Sequence, residues 1–147
     1  MEIKEIKENK KQFLPLLLLA DEQESMIDTY LERGTLYVLE DNGVKSVCVV
    51  TDEGKGILEI KNLATESAFQ RKGYARALLD FITAKYKKTH SILQAGTGDS
   101  PLTLPFYEKY GFTQSHRIKN FFPDNYDHPI FEAGKQLVDM ICLQKKL

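Results

Sequence analysis

A short basic turn near the middle of the chain separates a strand-like segment, Ile57–Ala64, from a helix-like segment. The turn reads Gln-Arg-Lys-Gly-Tyr-Ala at residues 70–75, and apolar side chains then recur at helical spacing from Ala75 to Tyr86. A helix start exposes unpaired N–H groups and the positive end of the helix dipole. Because Arg71 and Lys72 add two cations there, the segment predicts an anion site. A solvated surface turn is the alternative.

The type of anion is narrowed by the motifs that the turn lacks. It contains no G-x-x-x-x-G-K-[ST] sequence and no G-x-G-x-x-G sequence, so neither a P-loop nor a dinucleotide fingerprint is indicated. Gly73 has no side chain, so a ligand can approach its backbone closely. A phosphate or a pyrophosphate is therefore the expected guest.

The remaining periodicity predicts a mixed α/β fold. Asn42-Gly43 is a strong hairpin signal, and the strand–helix–strand order around the basic turn predicts one parallel pair in a mostly antiparallel sheet with flanking helices. Residues 96–100 and 120–128 are predicted to be loops, and Pro105 is expected to kink the last helix or delay its regular start. Strands are predicted at 2–7, 36–39, 44–51, 57–64, 91–95, 112–119 and 137–143, and helices at 10–20, 21–33, 74–87 and 101–110.

Composition restricts the class of protein further. A chain of 147 residues is expected to form a single domain, 1–147, and a net charge of −1 gives no electrostatic case for nucleic-acid binding. The longest apolar run, residues 13–20, is too short to cross a membrane, and the start of the chain does not read as a signal peptide, so a cytoplasmic protein is expected. Cys48 and Cys142 are predicted to be buried hydrophobes, and His90, His116 and His128 lack metal-ligand spacing.

Two motifs together resemble the GNAT superfamily of N-acetyltransferases. The turn at 70–75 is similar to the Q/R-x-x-G-x-G/A signature of that family, although the last glycine is Ala75 here. Phe-Tyr-Glu-Lys-Tyr-Gly-Phe at 106–112 is similar to the Y-E-K-x-G-F segment of the family, and the two motifs lie in the family's order. The resemblance implies a GNAT fold that takes acetyl-CoA as cosubstrate and acetylates an amine.

The resemblance also implies which residues contact acetyl-CoA. Backbone amides at the end of the strand before the turn hold the thioester and the pantetheine arm in the family, and the turn holds the pyrophosphate. Many family members also have a cofactor-binding Asn after the next strand; this chain has Asp99 and Ser100 there, and which of them takes that role is open. The implied cofactor residues are Leu63, Ala64, Thr65, Gln70, Arg71, Lys72, Gly73, Tyr74, Ala75, Arg76 and Ser100.

Two residues are candidates for catalysis. Tyr107 aligns with the tyrosine that often acts as general acid in the family, since a phenol can return a proton to a departing thiolate; a purely packed core aromatic is the alternative. Glu59 lies where some members carry a catalytic Glu, on a strand face predicted to include Lys61 and Leu63. Its alternative is a simple ion pair with Lys61, and water relays often replace a direct base in this family.

The acceptor is predicted only as a class. In this fold the first two helices and the last hairpin usually wall the acceptor site, and their acidic and aromatic residues favour an amine, a small molecule rather than a protein. Ordinary surface charge on helix starts and turns is the alternative. The predicted mechanism is direct attack in a ternary complex. A non-catalytic CoA or acyl-CoA sensor and a structural protein are the rival functions, and a homodimer is a further expectation from the resemblance. The residues that supply the acceptor walls are Asp21, Glu22, Glu24, Phe121, Phe122, Asp124, Tyr126, Asp127 and Glu132.

Overall fold

A twisted sheet of seven strands forms the centre of the computed structural model, which describes all residues from Met1 to Leu147. Its strand order is β1-β2-β3-β4-β5-β9-β6, and only β4 and β5 run parallel. The predicted mixed α/β class is therefore confirmed. The strands of this sheet are β1 (Glu2–Ile6), β2 (Thr35–Glu40), β3 (Val44–Asp52), β4 (Ile57–Thr65), β5 (Ile92–Gly98), β6 (Thr113–Ile118) and β9 (Met140–Lys146).

Helices cover both faces of the sheet. The α-helices are α1 (Leu14–Ala20), α2 (Glu24–Ile27), α3 (Tyr74–Tyr86), α4 (Leu104–Tyr110) and α5 (Phe121–Asn125), with 3-10 turns at Lys10–Phe13 and Ser67–Phe69. Helices α3 and α4 pack on one face, where fifteen buried residues form the larger core. Helix α1 and the turns after α2 pack on the other face over ten buried residues. None of the helices has both the length and the hydrophobicity needed to cross a lipid bilayer.

The second predicted helix, 21–33, is wrong in extent, because regular α-helix is confined to Glu24–Ile27. The chain continues to Gly34 in irregular turns, and the Thr29 hydroxyl donates to the carbonyl of Met26, as short polar side chains often do at the expense of regular helix. Lys10 is 8% exposed, and its ammonium donates to the carbonyls of Leu31 and Gly34 at 3.0 and 2.8 Å. This buried lysine stabilises the irregular end of the segment.

The predicted loop at 96–100 is also wrong, because β5 continues through Gly98 and pairs with β9. The two glycines allow close packing rather than a turn. A Cβ on Gly96 would lie 2.5 Å from Sδ of Met140, and one on Gly98 would lie 2.5 Å from Cδ1 of Leu137. Helix α4 begins at Leu104 rather than Pro101, which confirms that Pro105 in its first turn delays the regular helix.

The C-terminal region holds two elements that the sequence did not reveal. The predicted loop at 120–128 contains α5, and a small hairpin of β7 (Phe131–Glu132) and β8 (Lys135–Gln136) follows it. The closing strand consequently begins at Met140 instead of Leu137. A third, small core of Phe122, Ile130 and Leu137 lies under this region. The predicted burial of Cys48 and Cys142 is confirmed, and both thiols are free.

Candidate active site

A cleft opens where β4 and β5 diverge. The two strands pair only from Ile57↔Ile92 to Ile60↔Ala95; beyond Ile60, the edge of β4 that faces β5 has no strand partner. The divergence coincides with an irregularity on the other side of β4, where Val49 pairs with Asn62 and Val50 with Ile60, so Lys61 is an extra residue in a β-bulge. The backbone of residues 61–65 is thus available on one edge to an extended ligand.

The bulge changes which side chains share a face of β4. Leu58 and Ile60 belong to the core under α3, and Leu63 packs against the same core. Glu59 therefore lies on the opposite face from Leu63, and the predicted common face of Glu59, Lys61 and Leu63 is wrong for Leu63. The sequence period of two fails here because a bulge inserts one residue into one strand only.

The basic turn forms a cradle of free amides at the end of the cleft. The first hydrogen bond of α3 runs from the Ala77 amide to the Gly73 carbonyl at 3.0 Å. None of the six amides from Arg71 to Arg76 donates to another group of the protein. Consecutive free N–H groups at the start of a 13-residue helix bind anions well, and the helix dipole favours negative charge there.

Two residues of the turn have left-handed backbone conformations. Arg71 and Gly73 have φ angles of 63° and 88°, in the left-handed region that glycine tolerates and arginine seldom adopts. A Cβ on Gly73 would meet nothing within 4 Å, so the backbone there is open to a ligand. The Gln70 side-chain amide donates to the Thr65 carbonyl at 3.3 Å, which connects the turn to the end of β4.

Tyr107 lies beside the cleft on the face that carries α3. It is 8% exposed and packs edge-on against Phe106 and Phe112, with ring centroids 5.2 and 5.3 Å away. Burial raises the pKa of Tyr107 well above its ordinary value, and the neighbouring Cys48 thiol adds to the effect. Cys48 pairs with Leu63 across β3 and β4, so the phenol lies close to the free stretch of β4. Burial likewise raises the pKa of Cys48 to about 12, which keeps that thiol protonated.

Glu59 is engaged by its neighbours on the far face of the sheet. Its carboxylate accepts a hydrogen bond from the side-chain amide of Gln94 and forms an ion pair with Lys61, and its side chain is 13% exposed. Gln144 donates to the oxygen of Gln94 at 2.7 Å, so a polar strip crosses β4, β5 and β9. The ion-pair alternative for Glu59 is thus present in the structure.

The two candidates after β5 differ in their surroundings. Ser100 is fully buried, and its hydroxyl accepts the Leu102 amide at 3.1 Å, so the side chain stabilises its own turn. Asp99 forms an ion pair with Lys135 at 3.1 Å. A cofactor contact from Ser100 stays a prediction.

On the opposite side of β4, a buried hydrogen-bond network links the predicted acceptor walls to the strand. Asp21 accepts hydrogen bonds from the phenols of Tyr126 and Tyr30 at 2.6 and 2.9 Å. Asn62 donates to the Tyr30 oxygen at 3.1 Å and to the Leu17 carbonyl at 3.0 Å. Burial raises the pKa of Asp21, although both phenols oppose that shift. Asp21 and Tyr126 were predicted from the sequence, whereas Tyr30 and Asn62 were missed. The only sequence signal for Asn62 was a polar residue inside the apolar strand β4, and Tyr30 was assigned only to the apolar stripe of a predicted helix.

Side chains also join the loop after α1 to the loop after α5. The Gln23 side chain accepts the Asp127 amide at 2.9 Å, and His128 lies 3.1 Å from Glu22 and 2.6 Å from Asp127. Hydrogen bonds to Asp127 and, to a smaller extent, to Glu22 raise the pKa of His128. Beside these loops lies an open pocket of about 240 Å³, lined by Phe122, Pro123, Tyr126, Asp127, His128, Pro129, Ile130, Gln136 and Leu137. Phe121 packs with Phe122 and Tyr126, whereas Glu24 pairs with Lys11.

Known proteins are similar to this chain in both sequence and structure. The sequence profile described as an acetyltransferase (GNAT) domain matches residues 32–114. An uncharacterized N-acetyltransferase of Bacillus subtilis, YvbK, is 35% identical over 139 residues, which cover 92% of this chain and 90% of that protein.

Two solved structures are also similar to this chain. A GNAT family acetyltransferase from Elizabethkingia anophelis, crystallised with acetyl-CoA bound, has a TM-score of 0.93 and 38% identity and covers 99% of this chain and 97% of its own. An IAA acetyltransferase from Bacillus cereus has a TM-score of 0.91 and 35% identity and covers 99% of both chains. Together with the cleft and the amide cradle, these similarities show that the chain belongs to the GNAT family of N-acetyltransferases, whose cosubstrate is acetyl-CoA.

Proposed function

We propose that this protein transfers the acetyl group of acetyl-CoA directly to an amine while both substrates are bound. The observation that carries the proposal is the amide cradle at Arg71–Arg76 beside the unpaired edge of β4. A diphosphate needs several convergent donors and positive charge, and an extended arm with its own amides needs a free strand edge. Both requirements are met within one cleft.

The proposed cofactor contacts follow the line of the cleft. The amides of Arg71 to Arg76 donate to the diphosphate, and the side chains of Arg71 and Lys72 add opposite charge. The backbone of Leu63, Ala64 and Thr65 pairs with the pantetheine arm and holds the thioester, which supplies the electrophilic carbonyl carbon. A backbone amide directed at the carbonyl oxygen stabilises the negative charge that develops there.

The chemical step forms one C–N bond and breaks one C–S bond. The neutral amine attacks the carbonyl carbon, its extra proton leaves to a base or to water, and the sulfur leaves as the thiolate of CoA. Tyr107 donates a hydrogen bond or a proton to that sulfur. Because burial raises its pKa, the phenol is protonated and ready to donate throughout the neutral range.

We propose Glu59 as the base only if its contacts with Lys61 and Gln94 first loosen. Its carboxylate is shared between Lys61 and Gln94, so an amine proton reaches it only if one of these partners moves. Water is the competing acceptor of the proton. Replacing Glu59 by Gln separates these two routes.

The acceptor side supports a small cationic amine. Asp21 carries a partly buried carboxylate that is held by two neutral phenols, and no ion pair engages it. The nearby pocket of about 240 Å³ combines aromatic side chains with Asp127. Carboxylates and aromatic faces attract an ammonium group, and the pocket is smaller than a typical site for a drug-sized ligand.

The test is a screen of primary amines, including polyamines, amino acids, aromatic amines and a lysine peptide, with acetyl-CoA. Thiol release is followed by a colorimetric reagent, and mass spectrometry identifies the acetylated product. Acetylation of at least one amine at a rate well above thioester hydrolysis is expected. Tight binding of acetyl-CoA with no transfer to any amine class would instead favour a sensor.

A further inference from the structure

The loop that leads into α3 has little internal support. Residues Glu66–Ala68 and Gln70–Gly73 are exposed, and the only backbone hydrogen bond that joins two residues of the loop runs from the Phe69 amide to the Glu66 carbonyl at 2.8 Å. Arg71 has a left-handed backbone conformation, which is energetically unfavourable for a residue other than glycine. A loop of this kind samples other conformations unless something outside it holds it.

Three contacts to the β2–β3 turn supply that support. The Tyr74 hydroxyl donates to Oδ2 of Asp41 at 2.7 Å, and the Glu66 amide donates to the Lys45 carbonyl at 2.9 Å. The ammonium of Lys45 lies 4.3 Å from the ring centroid of Phe69. The turn, Asp41–Lys45, thus contacts the beginning, the middle and the end of the loop, and we name it the brace.

The brace is itself firmly formed. Asn42 and Gly43 have positive φ angles of 55° and 97°, as the tight hairpin requires. The Lys45 ammonium donates to the Asn42 carbonyl at 2.6 Å, and Lys45 is only 9% exposed. A rigid hairpin of this kind can hold a neighbouring loop in one conformation.

We infer that the brace is a positioning device: Asp41, acting through Tyr74, and Lys45, acting through Phe69, hold the amides of Arg71–Arg76 in the arrangement that receives a diphosphate. The inference rests on the proposed role of those amides. A loop that is ordered before binding avoids paying the ordering entropy at that moment, so affinity increases without any new ligand contact. The brace itself needs no contact with the cosubstrate.

This role predicts a specific kinetic signature. Tyr74→Phe removes the hydroxyl but keeps the ring, and KM and Kd for acetyl-CoA are expected to rise about tenfold, the effect of one hydrogen bond to a charged group. The kcat value is expected to change by less than about twofold, because Tyr107 and β4 are untouched. S-acetylpantetheine, which lacks the diphosphate, is expected to react equally well with both proteins.

Variants of Asp41 test the same contact from its other side. Asp41→Ala is expected to reproduce the loss, and Asp41→Asn to recover most of it, since the amide oxygen still accepts the phenol. The double variant Asp41→Ala/Tyr74→Phe is expected to be no worse than either single variant. The control Tyr86→Phe removes a hydrogen bond of 2.7 Å to Tyr37 at the far end of α3, and KM for acetyl-CoA is expected to stay unchanged.

The result that overturns the inference is an unchanged Kd for acetyl-CoA in a folded Tyr74→Phe protein. An equal loss with S-acetylpantetheine also overturns it, because the defect would then not concern the diphosphate. Failure of the wild-type protein to bind acetyl-CoA is a different outcome, which removes the proposed function first and the inference with it.

Discussion

Replacing Tyr107 with Phe tests whether its hydroxyl takes part in catalysis or whether the side chain only packs in the core. The ring contacts with Phe106 and Phe112 are kept in the variant, since Phe has the same ring. The hydroxyl of Tyr107 has no hydrogen-bond partner within the protein. Removing the oxygen therefore breaks no stabilising contact, and the free energy of unfolding is expected to change by less than about 1 kcal/mol.

The expected effect on catalysis is much larger. A positioned acid contributes about 10²- to 10⁴-fold to the rate. A fall in kcat of about 10²-fold corresponds to about 2.7 kcal/mol of lost transition-state stabilisation. The affinity for acetyl-CoA is expected to stay within about twofold, because the amide cradle is unaltered.

The assay combines thiol release at saturating substrates with calorimetric binding and thermal unfolding of the same samples. Tyr110→Phe is the matched control on the same helix: it removes a real hydrogen bond to Asp80 of 2.6 Å. That control is expected to lose about 1 kcal/mol of stability and to keep kcat within a few-fold. An unchanged kcat in Tyr107→Phe, or a large loss of its stability alone, would refute the reasoning.

Further variants test other parts of the account. Glu59→Gln is expected to lower kcat by less than tenfold if water takes the amine proton, whereas about a 10²-fold loss would make Glu59 the base. Gly73→Ala is expected to cost about 1–2 kcal/mol in unfolding experiments through its positive φ angle and to weaken acetyl-CoA binding measured by calorimetry. Gly98→Ala is expected to cost about 1–3 kcal/mol in denaturant unfolding, since its Cβ would lie 2.5 Å from Leu137; an unchanged midpoint would contradict that packing.

Much of the fold could be predicted because local signals agreed with the tertiary structure. Asn42-Gly43 forms the predicted tight turn with both φ angles positive, and the strand–helix–strand order around residue 73 gives the parallel pair. The errors arose where tertiary contacts decided. Gly96 and Gly98 suggested a loop from composition alone, but their lack of a side chain accommodates Met140 and Leu137 in a continuous strand.

The site was predictable to a similar degree. The position of the basic turn at the start of α3 follows from sequence, and so does the placement of Tyr107 within α4. The bulge at Lys61 does not, because it depends on the pairing of β3 with β4. Asn62 and Tyr30 were missed for the same reason: their hydrogen bonds connect segments that are distant in the chain.

The most direct test of the central claim is thermal unfolding of the wild-type protein with acetyl-CoA, CoA, S-acetylpantetheine and ATP in separate samples. Ligand at about 100 times its Kd adds about 2.7 kcal/mol to the free energy of unfolding, which raises Tm by several degrees in a chain of this size. We predict a clear rise with acetyl-CoA and CoA, and a smaller rise or none with S-acetylpantetheine and ATP at equal concentration. No rise with either CoA species would contradict the assignment of the cleft and of the amides from Arg71 to Arg76.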